Sequence, residues 1–166
     1  MRFLGFAVVT GAAIVLGACG GGEKAATDTA AAPAAEAPAA APAEAPAAGA
    51  MAPITGTTHE VKMIGDATGY KFEPADITIK AGDGIKFIMV SGGPHNVAFD
   101  PATLPAAAKT QLMANMPEQA GELSGKMMLN ANEEYTISFG GVPAGTYDYH
   151  CTPHLAMNMK GKITVQ

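Results

Sequence analysis

The residues Gly145–Lys162, GTYDYHCTPHLAMNMKGK, gather one Cys, two of the four His and two of the ten Met into a single strand–turn–strand. Cys151 and His154 stand three apart with Pro153 between them, and Met157 and Met159 follow. A thiolate, an imidazole and a thioether on one tight loop are soft ligands. Such a set suits copper in a trigonal His₂Cys site with a long, weak axial Met. The loop supplies the Cys, one His and the Met, so a second His must come from elsewhere. The segment Gly92-Gly93-Pro94-His95-Asn96-Val97 offers it.

Strand phase decides which histidines can share the thiolate's metal. Along Tyr147-Asp148-Tyr149-His150-Cys151 the odd positions lie on one face and the even ones on the other. Tyr147, Tyr149 and Cys151 then point inward while Asp148 and His150 point out. His59 has no ligand-type neighbour and reads as a surface residue. His95 and His154 remain. Zinc is the rival metal, but its structural sites close a tetrahedron with Cys, His and carboxylate. Here the fourth ligand would be a thioether, which copper tolerates in both oxidation states.

Composition narrows the alternatives. The formal charge of −5, with −3 carried from Ile54 onward, has the wrong sign for nucleic-acid binding. Arg2 is the sole arginine, so residues beyond it lack a guanidinium fork for phosphate or carboxylate. Only two cysteines occur, Cys19 and Cys151. Cys19 has another fate, which leaves Cys151 a lone thiol in an exported protein, and metal ligation accounts for it better than inert burial.

That fate is written in the N-terminus. Met1–Ala18 has the build of a secretory signal: Arg2, a hydrophobic run from Phe3 to Leu16 too short to span a bilayer stably, then small residues. Leu16-Gly17-Ala18-Cys19 resembles the bacterial lipobox, which implies cleavage before Cys19 and lipid attachment to it. Several acyl chains anchor stably where one is marginal. Residues 19–56 follow as a low-complexity Ala/Pro tether. Pro33, Pro38, Pro42, Pro46 and Pro53 interrupt every helical turn that Ala would favour. The segment is expected to be extended and disordered, holding residues 57–166 away from a membrane.

From His59 onward, short runs separated by turn signals predict an all-β sandwich. The strands expected are His59–Ile64, Tyr70–Glu73, Asp76–Lys80, Ile85–Val90, Asn96–Phe99, Met127–Leu129, Glu134–Phe139, Thr146–Cys151 and Lys160–Val165. Asp100–Met116 breaks the rhythm: Pro101 and Pro105 sit at its start, Ala106–Met116 carries helix-forming residues with Leu112 and Met116 on one face, and a short helix or irregular excursion is expected there. Met113, Met116, Met127 and Met128 read as core filler.

Residues 60–166 resemble the blue copper proteins of the cupredoxin family, plastocyanins most closely. The resemblance rests on Phe72-Glu73-Pro74, on Pro94-His95-Asn96-Val97-Ala98-Phe99-Asp100 and on Met159-Lys160-Gly161-Lys162-Ile163-Thr164-Val165. Gly145–His154 is more similar to amicyanins, and pseudoazurins share the Cys-Thr-Pro-His turn. The resemblance implies a Greek-key β-sandwich with one type 1 copper ion. Its equatorial ligands would be His95, Cys151 and His154, and its axial ligand Met159. Met157 has the amicyanin spacing from His154. Met159 has that of plastocyanin and pseudoazurin, and runs straight into the last strand as the axial Met does in these relatives. Asn96 would tie the two ligand loops together, and Pro153 would withhold one hydrogen bond from the Cys151 sulfur. The sequence departs from plastocyanins at His150, where they commonly carry an aromatic residue. Glu118, Glu122, Glu133 and Glu134 also form no dense acidic run like that of plant plastocyanins.

The function implied is a non-enzymatic one-electron carrier cycling between Cu(II) and Cu(I). It is expected as a monomeric domain, lipid-anchored on the periplasmic or cell-surface side of a bacterial membrane. It would dock transiently with a redox donor and acceptor through an electron port formed by His154, Leu155 and Met157. The alternative is a copper storage or delivery protein, which the Met content favours slightly.

Overall fold

A computed structural model describes residues 49–166; the signal, Cys19 and the tether up to residue 48 lie outside the described residues. Eight strands, one α-helix and one 3₁₀ turn follow in order. They are β1 (Thr58–Asp66), β2 (Gly69–Glu73), β3 (Asp76–Ile79), β4 (Gly84–Met89), β5 (Ala98–Phe99), α1 (Ala106–Asn115), β6 (Glu134–Ser138), β7 (Gly145–His150), the 3₁₀ turn (Leu155–Met157) and β8 (Lys160–Val165). They form two four-stranded sheets, ordered β2-β1-β4-β6 and β3-β8-β7-β5. Each sheet holds one parallel pair, β1 with β4 and β3 with β8, because the chain crosses between sheets as a Greek key does.

Alternation builds the core. Val61 and Met63 of β1, Ile85, Phe87 and Met89 of β4, Tyr135 and Ile137 of β6, and Tyr147 and Tyr149 of β7 all point inward and are buried. Phe72, Phe87 and Tyr149 pack with ring centroids 4.6 to 6.2 Å apart, an aromatic cluster beneath the loops that end β4 and β7. The Tyr149 hydroxyl donates to the Ala75 carbonyl at 2.9 Å, which satisfies its one polar atom.

Most expected strands are present within a residue or two. Met127–Leu129 is not a strand: Met128 makes only an isolated bridge to His95. Asn96–Phe99 shortens to Ala98–Phe99, because His95 and Asn96 serve the loop instead. Met116 and Met128 are core residues as expected, but Met113 and Met127 are exposed. Helix α1 runs where a helix was expected. It buries Leu112 and also two amides, Gln111 and Asn115.

Those amides bear on where the folded domain begins. Asn115 Nδ2 donates to the carbonyls of Ser138 and Gly140 at 2.9 and 2.8 Å, and its Oδ1 accepts from the Ala52 amide at 2.9 Å. Gln111 Nε2 donates to the Ala50 carbonyl at 2.7 Å, and Ala52 is buried. Residues 49–56, assigned above to the tether, thus lie along α1 and the starts of β1 and β4. His59 is not a free surface residue either. Its Nε2 meets Asp83 Oδ2 at 2.9 Å, and Asp83 also accepts from the amides of Thr57 and Lys80. These bonds hold the Asp83 carboxyl down to about 2. Both polar networks sit at the end of the sandwich where β4 begins. The loops that follow β4 and β7 lie at the other end.

Candidate metal centre

β4 stops at Met89, and the chain turns through Gly92 and a Gly93–Pro94 peptide to deliver His95. The His95 amide and carbonyl pair with Met128, fixing the residue's position. β7 stops at His150, and Cys151 is the next inward-facing residue. The chain after it closes tightly. The His154 amide donates to the Cys151 carbonyl, the Met159 amide to the His154 carbonyl, and the Cys151 amide to the Met159 carbonyl. Asn158 takes the left-handed conformation at φ 62°, which Asn tolerates well, so the loop can re-enter β8.

The two loops bring His95, Cys151 and His154 together, all buried. Cys151 Sγ lies 3.6 Å from His95 Nδ1 and 3.4 Å from His154 Nδ1, and the two Nδ1 atoms are 3.2 Å apart. A triangle with those edges has its centre about 2 Å from each corner, the length of a metal–imidazole bond and slightly under a metal–thiolate one. The arrangement fits one ion in trigonal coordination. His95 Nε2 donates to the Ser91 carbonyl at 2.8 Å, which leaves the Nδ1 lone pair facing inward. Asn96 ties the ligand loops: its Oδ1 accepts from the Thr152 amide, and its Nδ2 donates to the hydroxyls of Thr152 and Ser124.

Electrostatics agree with a cation at the centre. Burial lowers the pKa of His95, against the Ser91 hydrogen bond. Burial, and then the neighbouring His95, lowers that of His154. Both rings are therefore neutral, with lone pairs available, near pH 7. Burial raises the Cys151 thiol, while the backbone N–H groups of Asn96 and His154 pull it back. Cys151 would hold a cation here as the thiolate, the ion taking the place of that proton and offsetting the cost of a buried charge.

Of the two methionines, Met159 is 0% exposed at the foot of β8 and Met157 is 50% exposed on the 3₁₀ turn. Met159 is the thioether of the site. Pro153 caps the loop and brings no N–H. Leu155 is 41% exposed beside Met157, as a docking rim requires, but His154 is only 6% exposed. Its ring lies beneath Tyr70, with centroids 3.8 Å apart and planes at 13°. Neither Tyr70 nor Ser91 was found by sequence reasoning. Tyr70 belongs to β2 and meets the ligand loop only through the fold, and Ser91 acts through its carbonyl. His150 points out as expected. It lines a groove of about 770 Å³ with Asp100, Glu122, Asp148, Leu155 and Lys160.

Two sheets closed over a buried His₂Cys triangle with a buried Met beside it define a cupredoxin with a type 1 copper site. The chain belongs to the plastocyanin/azurin family of copper binding proteins, whose model matches residues 59–166. Plastocyanin of Scenedesmus fuscus is 39% identical over 107 residues, covering 64% of this chain and 97% of that protein. Chloroplastic plastocyanin of Physcomitrium patens is 38% identical over 106 residues, covering 63% of this chain and 56% of that protein. The solved oxidized plastocyanin of Dryopteris crassirhizoma is 34% identical with a TM-score of 0.51, covering 64% of this chain and 99% of that one. The chain is a blue copper electron carrier with ligands His95, Cys151, His154 and Met159.

Proposed function

We propose that this carrier works outside the cytoplasm, anchored to a bacterial membrane through lipid on Cys19. It shuttles single electrons between two redox proteins that dock transiently at the pole bearing Leu155 and Met157. The observation that carries the carrier role is the closed, buried triangle of His95, Cys151 and His154. A copper ion held there supplies the Cu(II)/Cu(I) couple. The chain supplies the rest. Asn96 locks the two loops in register, the Ser91 carbonyl fixes the His95 tautomer, and burial keeps water off the thiolate. Ligands fixed in this way move little between oxidation states, so little reorganisation opposes transfer. Delivery of copper would need ligands that open to a recipient, and here all three converge in the interior.

Support for the anchor is the Leu16-Gly17-Ala18-Cys19 sequence and the Pro-interrupted segment that follows it. Exposed Leu155 and Met157 next to His154 support the docking surface. Reconstitution with copper tests the carrier role: an intense blue band should appear and bleach reversibly on one-electron reduction. Copper bound without that band would leave storage as the better reading. Cys19→Ser tests the anchor separately. It should move the protein from the membrane to the soluble fraction with copper binding intact, and a variant retained in membranes refutes lipidation.

A further inference from the structure

We propose that the tip of the β1–β2 hairpin, which contributes no ligand, positions both imidazoles of the metal centre through Gly65 and Tyr70. Gly65 and Tyr70 face each other as a cross-strand pair. On one side, the Gly65 amide donates to the Ser91 carbonyl at 2.8 Å, and the Ser91 hydroxyl returns a bond to the Gly65 carbonyl at 3.0 Å. That same Ser91 carbonyl accepts from His95 Nε2 at 2.8 Å. The hairpin therefore sets the height and direction of the acceptor that orients His95. On the other side, the Tyr70 ring lies flat on His154 at 3.8 Å and meets His95 edge-on at 6.1 Å.

Both contacts need a glycine at position 65. A Cβ there would sit 2.7 Å from the Tyr70 ring and 2.9 Å from Gly92 Cα. Gly92, at φ +72°, presses its backbone onto Gly65 in return. Two residues without side chains thus open the space in which the ring can lie parallel to the imidazole. His154 needs such a wall. Leu155, Ala156, Met157 and Asn158 of its own loop are exposed, so its ring leans on the half-buried Tyr70. A stacked aromatic restrains ring tilt and covers the imidazole from solvent while leaving its Nδ1 free.

The inference rests on the copper reading for its consequence but not for its geometry, so two measurements on the full chain separate them. The first uses the metal-free protein, with side-chain NMR relaxation of the His154 ring in wild type, Tyr70→Phe, Tyr70→Ala and Gly65→Ala. Phe should keep the ring as ordered as in wild type, while both alanine variants should loosen it. The second is electron self-exchange of the copper-loaded proteins. Tyr70→Ala should slow it about tenfold, since a freer ligand adds to the activation barrier, and Tyr70→Phe should restore it. A Tyr70→Ala protein that only melts earlier, with His154 order and self-exchange as in wild type, overturns the proposal. Failure of Phe to rescue also overturns it, because the ring is the claimed element. A wild type that never turns blue refutes the carrier reading, and the NMR series still decides this one.

Discussion

The two ends of the sandwich both bury polar side chains, yet they satisfy them differently. At the end where β4 begins, Asp83, Gln111 and Asn115 reach backbone amides and carbonyls; the Lys80 bond closes a turn, and the others hold one chain segment against another. At the other end, the Cys151 sulfur and the Nδ1 atoms of His95 and His154 point at one another. Backbone partners make the first end a structural clamp. Convergent lone pairs make the second a socket, whose burial is costly until a cation fills it. The contrast shows how to tell a buried polar network that holds the fold from one that awaits a ligand.

The largest effects should separate the ends completely. Cys151→Ala should abolish the blue band and the redox couple while leaving the metal-free protein at least as stable as wild type. The visible spectrum and a metal-free denaturant titration check both halves. Asn115→Ala should do the reverse. It strands the carbonyls of Ser138 and Gly140 and the Ala52 amide, and should cost about 2–3 kcal/mol without altering the absorption of the loaded protein. Copper removal should lower the melting temperature of wild type but not of Cys151→Ala. Binding confined to the folded state is worth about 4 kcal/mol at 1,000 times Kd.

Acidity should resolve two windows. The folded His95 and His154 pKa values lie below their ordinary value, so the unfolded chain binds those protons first. Metal-free stability should therefore fall as pH drops below about 6.5, and copper should hold it to lower pH. Asp83 works in the other window. Its carboxyl is held at about 2, so its contribution is present above about 3.9 and is lost between there and about 2. Asp83→Asn should make that lower slope shallower and leave the upper one, as denaturant titrations across pH will show, while the depressed carboxyls of Glu60, Asp66 and Glu133 keep the remainder.

The smallest effects concern the rim of the socket. Met159→Gln should keep the copper and shift the potential downward with a changed spectrum, while Met157→Gln should leave both nearly untouched. Leu155→Glu should slow exchange with partner proteins at an unchanged spectrum. Voltammetry and stopped-flow kinetics distinguish the three.

Much of the socket was legible because its information is local. Cys151 and His154 sit three apart, strand alternation turns Cys151 inward and His150 outward, and the motif around His95 marks the second loop. What escaped depends on contacts distant in sequence. Tyr70 reads as an ordinary strand aromatic until β2 is laid beside the Cys151 loop, and Ser91 meets His95 through its carbonyl, which no side-chain pattern reports. The seat for Gly49–Ala52 was hidden by composition, since Ala52 looks like every other Ala of the tether. Only the buried amides Gln111 and Asn115 on α1 reveal that this stretch has a partner. Met127–Leu129 is no strand because apolar residues alone do not secure pairing, and the chain there makes one bridge to His95.

The copper socket itself is tested most directly by X-ray absorption at the copper edge of the loaded, full-length protein. Two nitrogens and one sulfur, from His95, His154 and Cys151, should form the short shell, with the sulfur lost in Cys151→Ser. A short shell of nitrogen and oxygen alone, unchanged by that substitution, would contradict it.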